Sequence, residues 1–281
     1  MRVIAIMNQK GGCGKTTTAV NLAAALKTMQ QRVLLIDLDP QAHATLGLNG
    51  HLETSIEDTV HQALMRRGDL SPIIVEIEPG FDLAPSGDDL LFTEQDLGNG
   101  PSGEDRLDTC LRLTPRAYDF VLIDCPPNLG PLTFNGLCAC REILIPVEIG
   151  FFSLNGVGNL LRALSRYRGA WLRERRIRAL ATMFDRQTNF AKEVIEEMRS
   201  FFGESLYTTV IHRTVKLKEA ASFGEPITRY APRSRGCEDF MALAGEVLRD
   251  RKVNGAWPGP GLVLREDQRD RSGHATEPES W

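Results

Sequence analysis

The stretch Lys10-Gly11-Gly12-Cys13-Gly14-Lys15-Thr16-Thr17-Thr18 is the part of this sequence that decides its fold. It follows a short apolar run at residues 3–7 and leads into a segment with helical periodicity at about residues 16–30. A strand, a glycine loop, a Lys-Thr pair and a helix in this order are typical of a phosphate-binding loop. A glycine-rich turn with a solvated lysine is the alternative, but it does not explain why these features coincide.

The loop offers several kinds of group that bind phosphate. Glycines let backbone N–H groups turn towards phosphate oxygens, and the N-terminus of the following helix attracts the same anion. We expect Lys15 to contact the β- and γ-phosphates of a nucleotide and the Thr16 hydroxyl to ligate Mg²⁺. The predicted binding residues of this loop are Gly11, Gly12, Cys13, Gly14, Lys15, Thr16 and Thr17.

Outward from the loop, short apolar runs alternate with helical segments along most of the 281 residues. Predicted strands are residues 3–7, 32–36, 73–77, 120–123, 143–147, 177–183 and 207–211, and predicted helices are 16–30, 56–67, 103–113, 154–172, 190–202 and 237–252. This alternation predicts an α/β fold with a doubly wound, mostly parallel sheet and helices on both faces. Periodicity ends near residue 254, so we expect one domain at residues 1–252 and a flexible tail at 253–281.

Composition excludes several classes of protein. Hydrophobic residues make up 42% of the chain and charged residues 25%, which excludes extended disorder and coiled coil. No apolar run reaches the roughly 18 residues of a membrane span, so no membrane partner is expected. The six cysteines lack metal-ligand spacing and fit a reducing cytoplasm. A net charge of −4 argues against bulk binding to nucleic acid, although a local basic face is compatible with it.

A second lysine in the loop departs from the usual pattern G-x-x-x-x-G-K-[ST]. Gln9 occupies the first glycine position, and Lys10 lies five residues before Lys15. Two cations beside the same phosphates repel each other unless negative charge separates them. One hypothesis is that Lys10 reaches a nucleotide bound by a second subunit. The alternative is that Lys10 contacts the phosphate of its own subunit.

Acidic residues end two of the predicted apolar strands, at the edge where open α/β sheets bind ligands. Asp124 follows residues 121–123, and we expect it to face Mg²⁺ through a water molecule. The alternative is an exposed aspartate that caps a turn. Asp37 and Asp39 follow residues 33–36, and their spacing of two places them on one side of an extended chain. Asp37 is expected beyond the direct Mg²⁺ ligands or in a structural role.

With these motifs together, the sequence resembles the ParA/MinD family of P-loop ATPases, whose loop reads K-G-G-x-G-K-T-T. Residues 37–41 (DLDPQ) resemble the family's switch, and residues 118–127 (YDFVLIDCPP) resemble its second acidic strand, within a likeness that covers about residues 1–250. The resemblance implies a P-loop NTPase fold, ATP and Mg²⁺ as cofactors, and a homodimer that encloses ATP. It also implies weak, partner-stimulated hydrolysis with Lys10, Lys15 and Asp39 as catalytic residues, Asp39 orienting the attacking water. A passive switch residue is the alternative for Asp39.

Two later segments, residues 182–186 and 211–215, resemble the base-binding loops of that family. The resemblance places Met183 and Arg213 at the nucleotide. This chain has His212 and Thr214 where the family usually has Pro and Asn, which leaves the adenine contacts open. The family also binds DNA non-specifically through basic residues, and the matching candidates are Arg213, Lys216 and Arg229. A solvated basic face is the alternative for these residues.

These observations lead to a functional expectation. The resemblance implies a cytoplasmic, nucleoid-associated ATPase that positions or segregates a plasmid, a chromosome or a protein assembly. Its expected partners are a second copy of the chain, non-specific DNA, and a ParB-like or cargo-adaptor protein. The alternatives are a regulatory ATPase of a surface-polymer or flagellar system, and a metabolic P-loop synthetase that activates a carboxylate with ATP.

Overall fold

A single twisted sheet organises the protein, as seen in a computed structural model that describes residues 1–51, 58–97, 103–150 and 153–250. The strands of the sheet are β1 (Arg2–Ile6), β2 (Val33–Asp37), β3 (Val75–Glu78), β4 (Phe81–Ala84), β5 (Phe120–Asp124), β6 (Glu142–Glu148), β7 (Arg176–Phe184) and β8 (Leu206–His212). Their spatial order is β3-β4-β2-β5-β1-β6-β7-β8. Only the β3–β4 pair in these residues is antiparallel, so the sheet is mostly parallel as predicted.

The central position of β1 places the glycine loop in the middle of one sheet edge. β1 pairs with β5 on one side and with β6 on the other. The register sets Ile6 opposite Asp124 and Asp37 opposite Asp124, so the ends of β1, β2 and β5 are level. The chain reverses its winding direction here, which is where ligands of such folds bind.

Helices cover both faces of the sheet. They are α1 (Lys15–Thr28), α2 (His43–Leu46), α3 (Val60–Arg66), α4 (Leu90–Leu97), α5 (Arg106–Leu113), α6 (Pro131–Ala139), α7 (Ser153–Arg173), α8 (Asn189–Phe202), α9 (Val215–Ser222), α10 (Ile227–Tyr230) and α11 (Arg235–Arg249). Val3 and Ala5 of β1 pack in one apolar cluster with α5 to α8, whereas Ile4 and Ile6 pack in another with α1 and α11. The doubly wound prediction is therefore confirmed. No helix in the described part of the chain has the length and apolarity to span a membrane.

Most predicted elements appear with their ends moved by a few residues. The predicted helix at 56–67 begins at Val60, because Thr59 and Gln62 form a reciprocal capping box at that point. The strand predicted at 73–77 starts at Val75, after a short turn of 3₁₀-helix at Ser71–Ile73. Residues 98–102, expected as a loop, and the expected tail lie outside the described residues.

Three further elements were not predicted. β4 has only four residues and follows β3 after a tight turn at Gly80 (φ 89°). α6 is buried along most of its length, so its sequence carries no polar stripe to reveal a helical period. α4 is a short helix with several acidic and polar residues.

The edge strand β8 is covered by a side chain from α11. The carboxylate of Glu246 accepts hydrogen bonds from the backbone N–H groups of Thr208 (3.0 Å) and Thr209 (2.8 Å) and from the Thr208 hydroxyl. Burial by itself would raise the pKa of Glu246, but these hydrogen bonds outweigh it and lower that pKa. A charged acceptor thus occupies two of the backbone donors of this edge strand.

Candidate nucleotide-binding site

The loop between β1 and α1 has the backbone geometry that its glycines permit. Gly12 (φ 75°) and Gly14 (φ 91°) both lie in the left-handed region, which strongly favours glycine. Gly14 is the N-cap of α1, and no side chain of the described residues caps this helix end. The first N–H groups of the helix therefore have no side-chain acceptor and are oriented to bind an anion.

The loop is held in place by the two strands beside it. The Thr182 hydroxyl of β7 donates to the carbonyl of Cys13 (2.8 Å). The Asn8 side chain donates to the carbonyl of Pro146 in β6 (2.7 Å) and accepts from the backbone N–H of Lys10 (3.1 Å). The Cys13 side chain is buried, and burial raises the pKa of its thiol, so Cys13 acts through packing and not as a nucleophile.

The two lysines of the loop have different partners. Lys15 is almost buried, and its Nζ donates to the carbonyl of Lys10 across the loop (3.3 Å). Lys10 is 46% exposed, and its Nζ forms an ion pair with Glu148 at the end of β6 (2.6 Å). Glu148 was not singled out from the sequence, although a charged residue at the carboxyl end of a strand was the available signal. The ion pair holds Lys10 away from its own loop.

Asp37 has several hydrogen-bond donors despite complete burial. It accepts from the backbone N–H of Asp39 (3.1 Å) and from the backbone N–H (2.9 Å) and hydroxyl (2.8 Å) of Thr45. Burial raises the pKa of Asp37 to about 6, and these hydrogen bonds oppose that shift. Its contacts tie the loop after β2 to α2, which fits the expected structural role.

Asp39 lies on a well-fixed turn next to Asp37. Its carboxylate accepts from the backbone N–H of Gln41 (3.0 Å), and its carbonyl accepts from the Ser86 hydroxyl (2.6 Å) and from the backbone N–H of Ala42 (2.8 Å). The residue is 8% exposed. A carboxylate in this position is held still while one part of it stays open to a ligand.

Asp124 has the most unfavourable environment of the acidic residues described. It is completely buried, and neither carboxylate oxygen has a hydrogen-bond partner among the described residues. Burial and then the charge of Asp37 raise the pKa of Asp124 well above its usual value, while Thr16 and Lys15 oppose that shift. Such a carboxylate lacks a cation.

Asp124 and the Thr16 hydroxyl fit a magnesium ion. Both are hard oxygen ligands, and Mg²⁺ usually binds through one or two protein groups together with water and phosphate oxygens. In the described residues there is no cluster of three or more His, Cys, Asp or Glu side chains that could hold a metal by itself. The donor set is therefore suited to a metal that arrives with a phosphate ligand.

A cavity of about 540 Å³ extends from the loop towards the ends of β7 and β8. Gly14 and Thr17 line it at the loop, and Met183, His212 and Arg213 line it at the far end. Its volume is in the range of small-ligand sites. The structure thus brings Met183 and Arg213 to the same cavity as the glycine loop. Met183 has a left-handed backbone (φ 56°), which is uncommon for a residue with a side chain.

The two residues that depart from the family pattern have defined contacts. His212 Nδ1 lies 2.9 Å from Asp239 of α11, and the His212 backbone N–H donates to the same carboxylate oxygen (2.9 Å). Thr214 is the N-cap of α9, and its hydroxyl accepts from the backbone N–H of Lys216 (3.3 Å). Threonine and asparagine both serve as N-caps, so the helix start tolerates this difference.

The residues considered for DNA binding lie on the surface around α9 and α10. Arg213 is exposed at the cavity mouth. Lys216 pairs with Glu219 (2.7 Å), and Arg229 lies 3.5 Å from Glu225. Exposed ion pairs of this kind contribute about 0–1 kcal/mol and exchange readily for phosphate partners.

An earlier arginine cluster is used inside the protein. Arg176 donates to the Asp250 carbonyl (2.7 Å), and Arg178 forms two hydrogen bonds with the Asp250 carboxylate (2.7 and 2.8 Å). These two arginines therefore stabilise the junction of β7 and α11 and are not a free basic face.

Comparison with known proteins adds a family context. The family model described as "AAA domain" matches residues 1–177, which contain the glycine loop, both acidic strand ends and Glu148. The sporulation initiation inhibitor protein Soj of Bacillus subtilis (strain 168) is 42% identical over 248 residues, 88% of this chain and 98% of that protein. The chromosome partitioning protein ParA of Myxococcus xanthus (strain DK1622) is 38% identical over 250 residues, 88% of each chain.

A solved structure is also similar to the whole described fold. It is that of cobyrinic acid a,c-diamide synthase from Mycobacterium smegmatis, with a bound ATP analogue and magnesium. The two chains are 31% identical and align with a TM-score of 0.77, over 92% of this chain and 99% of that chain.

Replacing Lys15 by alanine tests the phosphate site. We expect Lys15→Ala to weaken nucleotide binding by about 10- to 100-fold, because a charge-assisted hydrogen bond to phosphate is lost. Titration calorimetry with ATP and Mg²⁺ measures the affinity. Lys27→Ala is the matched control, since Lys27 lies on the same helix and pairs with Glu78 away from the loop. Equal affinities for the two variants would contradict the assignment of the loop.

Replacing Asp124 by asparagine tests the cation site. We expect Asp124→Asn to raise the free energy of unfolding of the nucleotide-free protein by about 1–3 kcal/mol, because a buried charge without a partner is removed. The same variant should lose the Mg²⁺ dependence of nucleotide binding. Urea unfolding and calorimetry with and without Mg²⁺ measure the two effects.

The control for this test is Asp82→Asn. Asp82 is also mostly buried, but it is hydrogen-bonded to Arg116 (3.0 Å) and Tyr118 (2.6 Å), so its replacement should lower the free energy of unfolding. If both variants were destabilised alike, the Asp124 carboxylate would not be the strained group described above.

Proposed function

This chain belongs to the ParA/MinD family of P-loop ATPases, and from that premise we propose that it is a Mg²⁺-dependent ATPase that dimerises around ATP. The dimer binds DNA non-specifically and positions or segregates a cargo. The observation that carries the proposal is the unequal pair of lysines. Lys15 is directed into its own loop, whereas Lys10 is bonded to Glu148 and is available for a second subunit.

ATP would lie with its phosphates in the glycine loop and its base towards His212. The Gly11–Thr17 backbone, the Lys15 ammonium and the N-terminus of α1 bind the phosphates. The Thr16 hydroxyl ligates Mg²⁺ directly, and Asp124 does so through water. Mg²⁺ supplies positive charge that neutralises the phosphate oxygens. Met183 and Arg213 line the nucleoside end of the cavity.

Hydrolysis requires that a water molecule attack the γ-phosphate in line with the leaving group. Asp39 orients this water, and its hydrogen bond from Gln41 keeps the carboxylate in place. Lys10 of the second subunit stabilises the negative charge that develops on the phosphate oxygens. Since Lys10 is paired with Glu148 in the single chain, hydrolysis is slow until two subunits meet and a partner protein favours the productive state.

DNA binding follows from the surface of α9 and α10. Two subunits bring two copies of Arg213, Lys216 and Arg229 to one assembly, which doubles the number of phosphate contacts. Affinity for DNA then depends on nucleotide state through dimerisation alone. The same logic gives a cytoplasmic protein that associates with the nucleoid in its ATP form and meets a ParB-like or cargo-adaptor partner there.

One observation favours a second candidate function. A structure described as an amide-forming synthase, cobyrinic acid a,c-diamide synthase, is 31% identical to this chain with a TM-score of 0.77. A synthetase would consume ATP only with a carboxylate substrate present. The higher identities to ParA and Soj, 38% and 42%, favour the partitioning function.

Replacing Lys10 by alanine tests the dimer mechanism. We expect Lys10→Ala to bind ATP and Mg²⁺ within about threefold of the natural protein but to lose at least about tenfold in hydrolysis, because the cation supplied in trans is missing. Hydrolysis is measured against protein concentration, with no carboxylate substrate added. The Lys27→Ala variant is again the control. Undiminished hydrolysis in Lys10→Ala would refute the mechanism, and dependence on an added carboxylic acid would favour the synthetase.

DNA binding is tested with duplexes of unrelated sequence and with ATP, ADP or no nucleotide. We expect binding in the ATP state only, with a steep fall in affinity between about 50 and 200 mM salt as counterions are displaced. The double variant Lys216→Ala/Arg229→Ala should bind at least about tenfold more weakly. Arg199→Ala is the control, because Arg199 is an exposed arginine paired with Glu196 on α8. DNA binding that is equal in all nucleotide states would contradict the proposal.

A further inference from the structure

We propose that His212 selects adenine over guanine, through a hydrogen bond that its Nε2 atom accepts from the 6-amino group of the base. This inference rests on the proposed function, since it requires a nucleoside triphosphate in the cavity. It assigns a specificity-determining role to a residue where the family pattern has a proline, which carries no such acceptor in its side chain.

His212 occupies the right place for a base contact. It is the last residue of β8, and it lines the cavity whose opposite end is formed by Gly14 and Thr17 of the phosphate-binding loop. The residue is 8% exposed, so a contact made there is shielded from water. The ring packs edge-on against Phe184, with ring centroids 5.3 Å apart and planes at 79°, which fixes its orientation.

Asp239 determines which ring nitrogen carries the proton. His212 Nδ1 lies 2.9 Å from the Asp239 carboxylate, and a carboxylate only accepts hydrogen bonds, so Nδ1 bears the hydrogen. In the neutral ring, Nε2 is then an acceptor. The described residues supply no hydrogen bond to Nε2, which leaves this atom for a ligand.

The neighbouring arginine supports the same tautomer. Arg235 Nε lies 2.9 Å from the other Asp239 oxygen and 3.3 Å from His212 Nδ1. The shorter contact, to a charged acceptor, takes the arginine hydrogen, so Nδ1 does not need to act as an acceptor. Asp239 therefore holds the ring, the backbone N–H of His212 and the Arg235 guanidinium at once.

This arrangement distinguishes the two purines by the sign of their hydrogen bond at position 6. Adenine presents an amino donor to Nε2, whereas guanine presents a carbonyl oxygen, which leaves two acceptors facing each other. A buried polar site that loses its partner commonly discriminates by at least tenfold. Arg213 and Lys218 also line the cavity and are donors that would favour guanine, so measured selectivity reports which group meets the base.

The test compares the affinities of ATP, GTP and purine riboside triphosphate, which lacks any group at position 6, by calorimetry with Mg²⁺. The natural protein should bind ATP at least about tenfold more tightly than the other two nucleotides. His212→Phe retains an aromatic ring beside Phe184 but has no acceptor, and it should bind all three within about threefold. His61→Phe, a histidine change on α3 outside the cavity, should leave the preference for ATP intact.

A second variant tests the tautomer. Asn in place of Asp239 can donate to Nδ1, so Asp239→Asn should reduce or reverse the preference for ATP over GTP while the affinity for purine riboside triphosphate stays within about threefold. Thermal unfolding confirms that each variant is folded before binding is measured. An unchanged preference in folded His212→Phe or Asp239→Asn would overturn the proposal.

The result separates this inference from the function on which it rests. If the natural protein binds ATP and GTP equally, and Lys15→Ala weakens both, the nucleotide site stands and the role of His212 is refuted. If the natural protein binds none of the three triphosphates, the proposed function and the role of His212 are both refuted.

Discussion

Asp124 and Asp37 stand opposite each other at the carboxyl ends of neighbouring strands, completely buried and with mutually raised pKa values. Asp37 is compensated by three donors from Thr45 and Asp39, but the described residues leave Asp124 without any. Folding therefore preserves an electrostatic demand beside the glycine loop. The parallel register of β2 and β5 fixes its position, and a nucleotide that brings a divalent cation satisfies it.

Much of this arrangement follows from local sequence. Lys15, Thr16 and Asp124 could be identified because each belongs to a short motif at the end of an apolar strand, and parallel strands bring such ends together. The pairing of Lys10 with Glu148 could not, because 138 residues separate the two side chains and only the β1–β6 pairing makes them neighbours. β4 and α6 escaped prediction for a related reason: a four-residue strand and a helix buried on most sides carry no periodic signal.

The departures from the family pattern also have physical explanations that the sequence did not contain. Thr214 replaces an amide side chain but keeps the capping hydrogen bond of α9. His212 introduces an imidazole whose orientation depends on Asp239, a residue on α11 that is 27 positions away. Substitutions at a site can therefore look disruptive in a linear comparison and still preserve local structure, because a distant helix supplies the missing partner.

The carboxylate of Glu246 on the edge strand β8 has a consequence for assembly. A protein that is meant to associate through one face must not also associate through its sheet, since open backbone donors at an edge template the addition of further strands. By occupying the N–H groups of Thr208 and Thr209, Glu246 closes a route to uncontrolled polymerisation. A cell can then accumulate this protein on a crowded template without seeding fibrous aggregates.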